Sequence, residues 1–292
     1  MKVAVIGCGS IGARHARNLK MLGHEPELAD LDGQRTRELA VDLCREFSHT
    51  VWDSERQDVW RIPTIRMCNE QTAGGPDAVM ICTPAHTHTS ILLQLRVLGY
   101  SGPLFVEKPI CDLFDTRTWN DWPHPTTMVG YQLRYHPVIE AMRALPRIDA
   151  GTFRLECDMR TWPGQAYGDF LSECSHEVDV ALYLGANRLT AARVTDQSAW
   201  LEFDEDRWNI SIESRVAQYR REWSAETFGP GTTRAAITAK YYDPEALGNV
   251  AYLRELEHFL DCAHRGVPTR TPFGEGLRVL EVIEQAKALA HV

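Results

Sequence analysis

The chain has 292 residues, 44% of them hydrophobic and 24% charged, which is the balance of a folded globular protein with enough length for one large domain or two ordinary ones. A net charge of −9 argues against a general nucleic-acid surface and against an anionic membrane surface. No apolar run approaches the roughly 20 residues that span a bilayer, and a strand that begins at Val3 leaves no room for a signal peptide, so the expected location is cytoplasmic.

Residues 3–6 form an unbroken apolar run, which reads as a buried parallel strand. The run leads into Gly7-Cys8-Gly9-Ser10-Ile11-Gly12, a G-x-G-x-x-G, and then into a helical pattern that puts Ile11, His15, Leu19 and Leu22 on one face. In the order strand, turn, helix, the first glycine permits a tight turn. The second lets the backbone approach a pyrophosphate, and the third lets helix and strand pack closely. The helix then turns its first N–H groups, around Ser10 and Ile11, toward the phosphates. Glu27-Leu28-Ala29 reads as a second strand with Asp30 at its C-terminal end. A carboxylate there accepts hydrogen bonds from ribose hydroxyls and repels a 2′-phosphate, which favours NAD(H); Arg35, just beyond, is able to pair with a phosphate and keeps NADP(H) possible.

Residues 33–47 carry a helical pattern, 49–53 a third strand-like run, and 54–76 are polar and punctuated by Pro63, Gly74, Gly75 and Pro76. Residues 77–82 (DAVMIC) are a further buried-strand run, followed by Thr83-Pro84-Ala85-His86-Thr87-His88 and a helix over 90–98. Residues 104–106 are a strand terminated by Glu107-Lys108-Pro109, and 127–130 are the last strand of this half. Strands alternating with helices predict a parallel sheet covered on both faces, with binding residues at the C-terminal strand ends.

The second half changes character. A short helix begins at His136, and residues 151–160 alternate as a half-exposed strand does. Residues 162–169 (WPGQAYGD) form an aromatic loop, with Trp162, Tyr167, Tyr131 and Tyr135 as candidates for lining a pocket against a sugar face. Residues 170–184 read as a helix, and five strand-like segments follow, at 189–196, 198–203, 208–215, 217–226 and 233–242. Asp204-Glu205-Asp206 reads as a solvated turn between two of them. Two helices close the chain, at 250–264 and 273–291. The predicted architecture is an N-terminal Rossmann domain, residues 1–131, and an α+β domain with a large, mostly antiparallel sheet, residues 132–292. The eight cysteines are scattered without a C-x-x-C pair, which predicts reduced core thiols, and no metal-ligand spacing is present.

Six stretches in order, GCGSIG, DAVMICTPAHTH, FVEKP, VGYQLRYHP, SHEVDVALYLG and PTRTPFGEGLRVLEVIEQA, resemble the glucose–fructose oxidoreductase / inositol dehydrogenase / rhizopine catabolism (Gfo/Idh/MocA) superfamily. The resemblance implies NAD(P)-dependent hydride transfer on a sugar, cyclitol, sugar nucleotide or related carbonyl or imine. It assigns Lys108 a place beside the nicotinamide and the reacting oxygen, and His176 the proton. Asp179 matches the motif aspartate three residues on, Thr83, Pro84 and His88 the stretch along the cofactor, and Arg134 the arginine that follows the last Rossmann strand. Ser172 stands where many of these dehydrogenases carry a carboxylate, and Cys174 where glycine is usual.

The chemistry agrees with that assignment. Hydride transfer needs a group that stabilises charge on the substrate oxygen and a matching proton movement, which suit a lysine and a histidine. Lysine is scarce, at Lys2, Lys20, Lys108, Lys240 and Lys287, and Lys108 alone follows a buried strand of the first half. Glu107 reads as orienting Lys108 or the backbone. Asp179 shares a helix face with His176 and is able either to fix its ring or to move a proton. His88 is open between a cofactor contact and a packing role. The candidate substrate contacts are Lys108, Tyr131, Arg134, Trp162 and His176. Two other readings stand beside the dehydrogenase: a reductase of an imine or conjugated system, and a non-catalytic dinucleotide sensor on the same fold. A homodimer or homotetramer is expected through the second sheet, with Trp200, Trp208, Tyr219 and Trp223 on its open face.

Overall fold

The computed structural model describes residues 1–46, 75–111, 116–145, 148–158, 175–195, 197–228 and 234–290. The strand expected at 49–53, the loop with Trp162 and Tyr167, and Ser172 and Cys174 lie outside the described residues. The chain divides into two compact units, Met1–Gly130 with Leu256–Gly274, and Tyr131–Glu255 with Glu275–Val292.

The first unit contains a five-stranded sheet of order β2-β1-β3-β4-β5, parallel throughout. Its strands are β1 (Lys2–Ile6), β2 (Glu25–Ala29), β3 (Ala78–Ile81), β4 (Leu104–Glu107) and β5 (Thr127–Gly130). Every residue of β3, β4 and β5 is buried, as expected of strands covered on both faces. The described helices are α1 (Ser10–Met21), α2 (Gly33–Glu46), α3 (Ala85–Val97) and the short α4 (Thr116–Asn120). The chain leaves β1 toward β2 and returns to the other side of β1 at β3. That reversal opens a crevice at the C-terminal ends of β1 and β3, where sheets of this kind bind ligands.

Residues 256–274 complete the edge of this sheet. The Val129 N–H donates to the Thr271 carbonyl at 2.8 Å, and the Thr269 hydroxyl donates to the Thr127 carbonyl at 2.6 Å. The Thr126 hydroxyl reaches the Val267 carbonyl at 2.8 Å, and Phe259 meets Phe105 edge-on with ring centres 5.6 Å apart.

The second unit is built on a six-stranded sheet of order β11-β10-β6-β9-β8-β7, in which only β6 and β9 run parallel. The strands are β6 (Ala150–Asp158), β7 (Leu189–Val194), β8 (Ser198–Phe203), β9 (Trp208–Glu213), β10 (Arg215–Phe228) and β11 (Arg234–Tyr241). Helices α5 (Pro137–Arg143), α6 (Ser175–Leu184), α7 (Val250–Arg265) and α8 (Phe273–Ala290) follow the expected pattern. The Asp204-Glu205-Asp206 turn is confirmed as a turn between β8 and β9, with all three residues at positive φ.

Register assigns the two faces of this sheet. Ala239, Trp223, Phe153, Ile210, Leu201 and Ala192 lie across the strands on one face, with the four central side chains fully buried. The opposite face carries Lys240, Glu222, Arg154, Ser211, Trp200 and Arg193 in the next row. Its charges pair: Lys240 with Glu222 across strands at 3.0 Å, and, two residues apart on one strand, Arg220 with Glu222 at 2.7 Å and Arg154 with Glu156. The open face is therefore polar, and one expectation is corrected. Trp223 and Trp208 are buried on the covered face, where Trp223 packs against Tyr241 and Trp208 stacks on Phe153. Only period-two alternation separates them from the half-buried Trp200, over whose ring Arg193 sits at 5.5 Å.

Helix α6 packs on β6 and β9 and has nine of its ten residues buried. Two of these are carboxylates, and each meets an arginine. Asp179 receives Arg134 on both oxygens, Nε at 3.0 Å and Nη2 at 2.6 Å from Oδ1. Glu177 lies 2.8 Å from Nε of Arg221 on β10. Burial raises the Asp179 carboxyl to about 6, with Arg134 drawing it down, and the arginine itself stays charged. Removing one partner from such a pair leaves an uncompensated buried charge. Arg134→Met should therefore lower unfolding stability in urea by about 3–5 kcal/mol, and Arg134→Met with Asp179→Leu should recover most of that loss.

Candidate functional site

The glycine turn is packed from beneath and open above. A Cβ on Gly12 would run into the Gly7 carbonyl, and one on Gly7, whose φ is +100°, would come within 2.9 Å of Cys82 and Thr83. A Cβ on Gly9 would have no neighbour within 4 Å. The first and third glycines thus serve the packing of β1, α1 and β3, and the second leaves space on the outer side. Gly9 caps α1 without any side-chain hydrogen bond, so the positive end of the helix carries no acidic side chain of its own. An open cradle at a helix N-terminus fits the pyrophosphate of a dinucleotide, with Gly9, Ser10, Ile11 and Gly12 as the residues that would hold it.

Asp30 ends β2 beside this turn. Its Oδ2 accepts the Cys8 N–H at 2.6 Å and its Oδ1 the Asp32 N–H at 2.9 Å. The carboxylate therefore shapes the turn as well as carrying charge to the ribose end of the crevice. Arg35 stands 3.9 Å from Asp30 and is half exposed, which leaves its guanidinium accessible. Burial, reinforced by the Asp30 charge, pushes the Cys8 thiol up to about 11.

At the ends of β3 and β4 the sequence placed Thr83, Pro84, His88, Glu107 and Lys108, and the first unit gathers all five. Pro84 caps α3, and the Thr83 hydroxyl pairs with that of Thr87 at 2.7 Å. His88 is fully buried, with Nε2 2.7 Å from the Thr83 carbonyl and Nδ1 3.1 Å from that of Pro109 and 3.2 Å from that of Ile110. Both nitrogens face backbone, which gives His88 the packing role of the two left open: it joins the turn after β3 to the turn after β4. Burial pushes its imidazole below the ordinary range. Glu107 is buried, and Lys108 is half-buried at the mouth of β4.

In the second unit His176 opens α6 next to Ser175 and is buried, with the Tyr131 ring edge-on at 6.0 Å. Three of the candidate residues find partners here. Asp179 receives Arg134 on both oxygens. Arg134 is engaged by carboxylates of this unit. Its buried guanidinium is shared by Asp179 and, at 3.0 Å, by Glu275, with the Tyr183 ring 4.8 Å away. Tyr131 is fully buried, with its ring against that of His176. Sequence reasoning missed Glu177 with Arg221 and His15, all buried; a charged residue inside an apolar helical or strand pattern was the available signal. Among the described residues no group of three or more His, Cys, Asp or Glu is able to hold a metal ion, and no helix is long and apolar enough to cross a membrane.

Residues 1–122 match the family model described as "Oxidoreductase family, NAD-binding Rossmann fold". No curated protein sequence matches the chain. Among solved structures, a probable dehydrogenase from Thermotoga maritima superposes with a TM-score of 0.76 at 18% identity, covering 100% of this chain and 97% of that one. GenD2 from gentamicin A biosynthesis, solved in complex with NAD, gives 0.73 at 18% identity, covering 100% and 94%. A putative myo-inositol dehydrogenase from Sinorhizobium meliloti 1021 gives 0.72 at 19% identity, covering 100% and 97%. At these identities the likeness establishes the fold of both units. Residues 1–122 are thus similar to the NAD-binding Rossmann fold of the Gfo/Idh/MocA oxidoreductase family model.

Proposed function

We propose that the protein is an NAD(H)-preferring dehydrogenase or reductase acting at the hydroxyl-bearing or carbonyl carbon of a sugar, cyclitol, sugar nucleotide or similar small molecule. The observation that carries this reading is a glycine turn left open at Gly9 in the same sheet that holds Lys108 at the mouth of β4. The fold shared with a putative myo-inositol dehydrogenase, and with GenD2 in complex with NAD, supports the substrate class and the cofactor. Nicotinamide, when bound, gives or takes the hydride. In this reading the Lys108 ammonium offsets the negative charge that grows on the substrate oxygen, and His176 carries the proton. Asp30 favours hydroxyls over a 2′-phosphate at the ribose. The polar open face of the second sheet is the proposed docking surface for another copy of the chain. Light scattering at micromolar concentration should then show more than one chain per particle.

Titration by nicotinamide fluorescence should give tighter binding of NADH than of NADPH, and Asp30→Asn should narrow the difference. A clear preference for NADPH defeats this assignment. Gly9→Ala keeps an ordinary φ of −70° and meets no neighbour, so its melting temperature should match the parent. Its NADH affinity should fall by about tenfold or more, because the new methyl occupies the space of the pyrophosphate.

With a substrate found from a panel of sugars and cyclitols, Lys108→Met should lower kcat by roughly 10²–10³ while NADH affinity changes little. His176→Ala should also lower kcat. A Lys108→Met variant as fast as the parent at saturation would remove the lysine from the mechanism and favour the sensor reading.

A further inference from the structure

We infer that Glu107 and His15 form a positioning pair that ties the phosphate-facing helix to the backbone of Lys108. The inference rests on the reading of a nicotinamide dinucleotide at the glycine turn. His15 lies one turn inside α1 and is fully buried. Its Nε2 is 2.7 Å from Oε1 of Glu107, and its ring meets Phe105 edge-on at 5.1 Å. The other oxygen of Glu107, Oε2, accepts the Lys108 N–H at 3.1 Å. One buried carboxylate therefore holds a helix with one oxygen and the next residue's backbone with the other.

The neighbouring strand makes room for this arrangement. Glu107 pairs with Gly130 in the β4–β5 register, and a Cβ on Gly130 would come within 3.0 Å of the carboxylate carbon and both its oxygens. On the far side of Lys108, His88 faces the carbonyls of Pro109 and Ile110. The lysine's backbone is thus held before it by α1 and after it by α3. A dinucleotide whose phosphates sit on the N-terminus of α1 would have its position set by the same carboxylate that sets Lys108. Displacement of either by about 1 Å is enough to cost a large share of catalysis. Glu107 and His15 are both buried, and the pair acts through the Lys108 backbone and α1.

The pair makes specific demands. Glu107→Ala removes both contacts. His15→Phe keeps a ring against Phe105 and removes the nitrogen. Glu107→Gln retains one oxygen for the Lys108 N–H and an amide N–H for the Nε2 of His15 in its other tautomer. The test measures NADH affinity of the full-length chain by fluorescence titration, with the melting temperature recorded separately for each variant. Glu107→Ala and His15→Phe should each weaken NADH by about tenfold, the double variant should be no worse than the weaker single, and Glu107→Gln should stay within about threefold of the parent. A merely structural pair lowers the melting temperature and leaves the affinity of the folded protein unchanged. That result, or single effects that multiply in the double variant, overturns the proposal.

Should Glu107→Ala not fold, the comparison runs between Glu107→Gln and Glu107→Gln with His15→Phe, neither of which buries an unpaired charge. Affinity that falls on adding His15→Phe supports the pair, and equal affinity overturns it. A parent that binds neither NADH nor NADPH overturns the reading of function and this pair's role together. A parent that binds while every variant matches it overturns the pair alone.

Discussion

There is no space for even a methyl group at Gly12, because the start of α1 lies directly against the carbonyl of Gly7. Much of the first unit follows from that contact. It sets how closely α1 approaches the end of β1, and with it the height at which the helix presents its N–H groups at the mouth of the sheet. It also places the buried face of α1, one turn further on, against the end of β4, so that His15 reaches Glu107. The same closeness brings Cys82 and Thr83 of the adjoining strand end under Gly7. Gly9 keeps open space beside it because the other two glycines have taken up the packing.

The second unit solves a different problem. Helix α6 reads SHEVDVALYL and is buried on almost every side, yet it carries two carboxylates and a histidine. The arginines that answer them come from distant parts of the chain, Arg134 from the segment before α5 and Arg221 from β10. Buried ion pairs of this kind add little net stability, since desolvation offsets most of the attraction. Their effect is on uniqueness. A helix rotated by a third of a turn would leave both charges unmatched, so the pairs hold α6 in one orientation and with it the ring of His176.

Legibility followed the range of the interaction that decides each feature. The glycine turn, the buried strands and the five consecutive strands from β7 to β11 are local patterns of period two or of turn residues, and they were read close to their observed bounds. The sides taken by Trp208 and Trp223 depend on register against neighbours far away in sequence, and local composition pointed the wrong way. Arg134 was read as a site residue from the family resemblance, and Tyr131 as a ring able to pack against a sugar face. Their partners, Asp179 and His176, are 45 residues further along and are recognisable only once α6 is in place. His15 was counted as part of an apolar stripe, since its periodicity is that of the buried face, and its chemistry emerged with the strand end that meets it.

The edge of the first sheet has a consequence for how the protein is made. Thr127 and Val129 depend on Thr269 and Thr271, and Phe105 packs on Phe259. All of these later residues are translated after the whole of the second sheet. On the ribosome, β5 therefore emerges with its outer edge uncovered and waits for nearly half the chain before its partners exist. The dinucleotide-binding unit cannot finish folding in the order in which it is synthesised. Its last covering segment arrives only when the second unit already has all its strands, which makes the two units interdependent in time even though each has its own core.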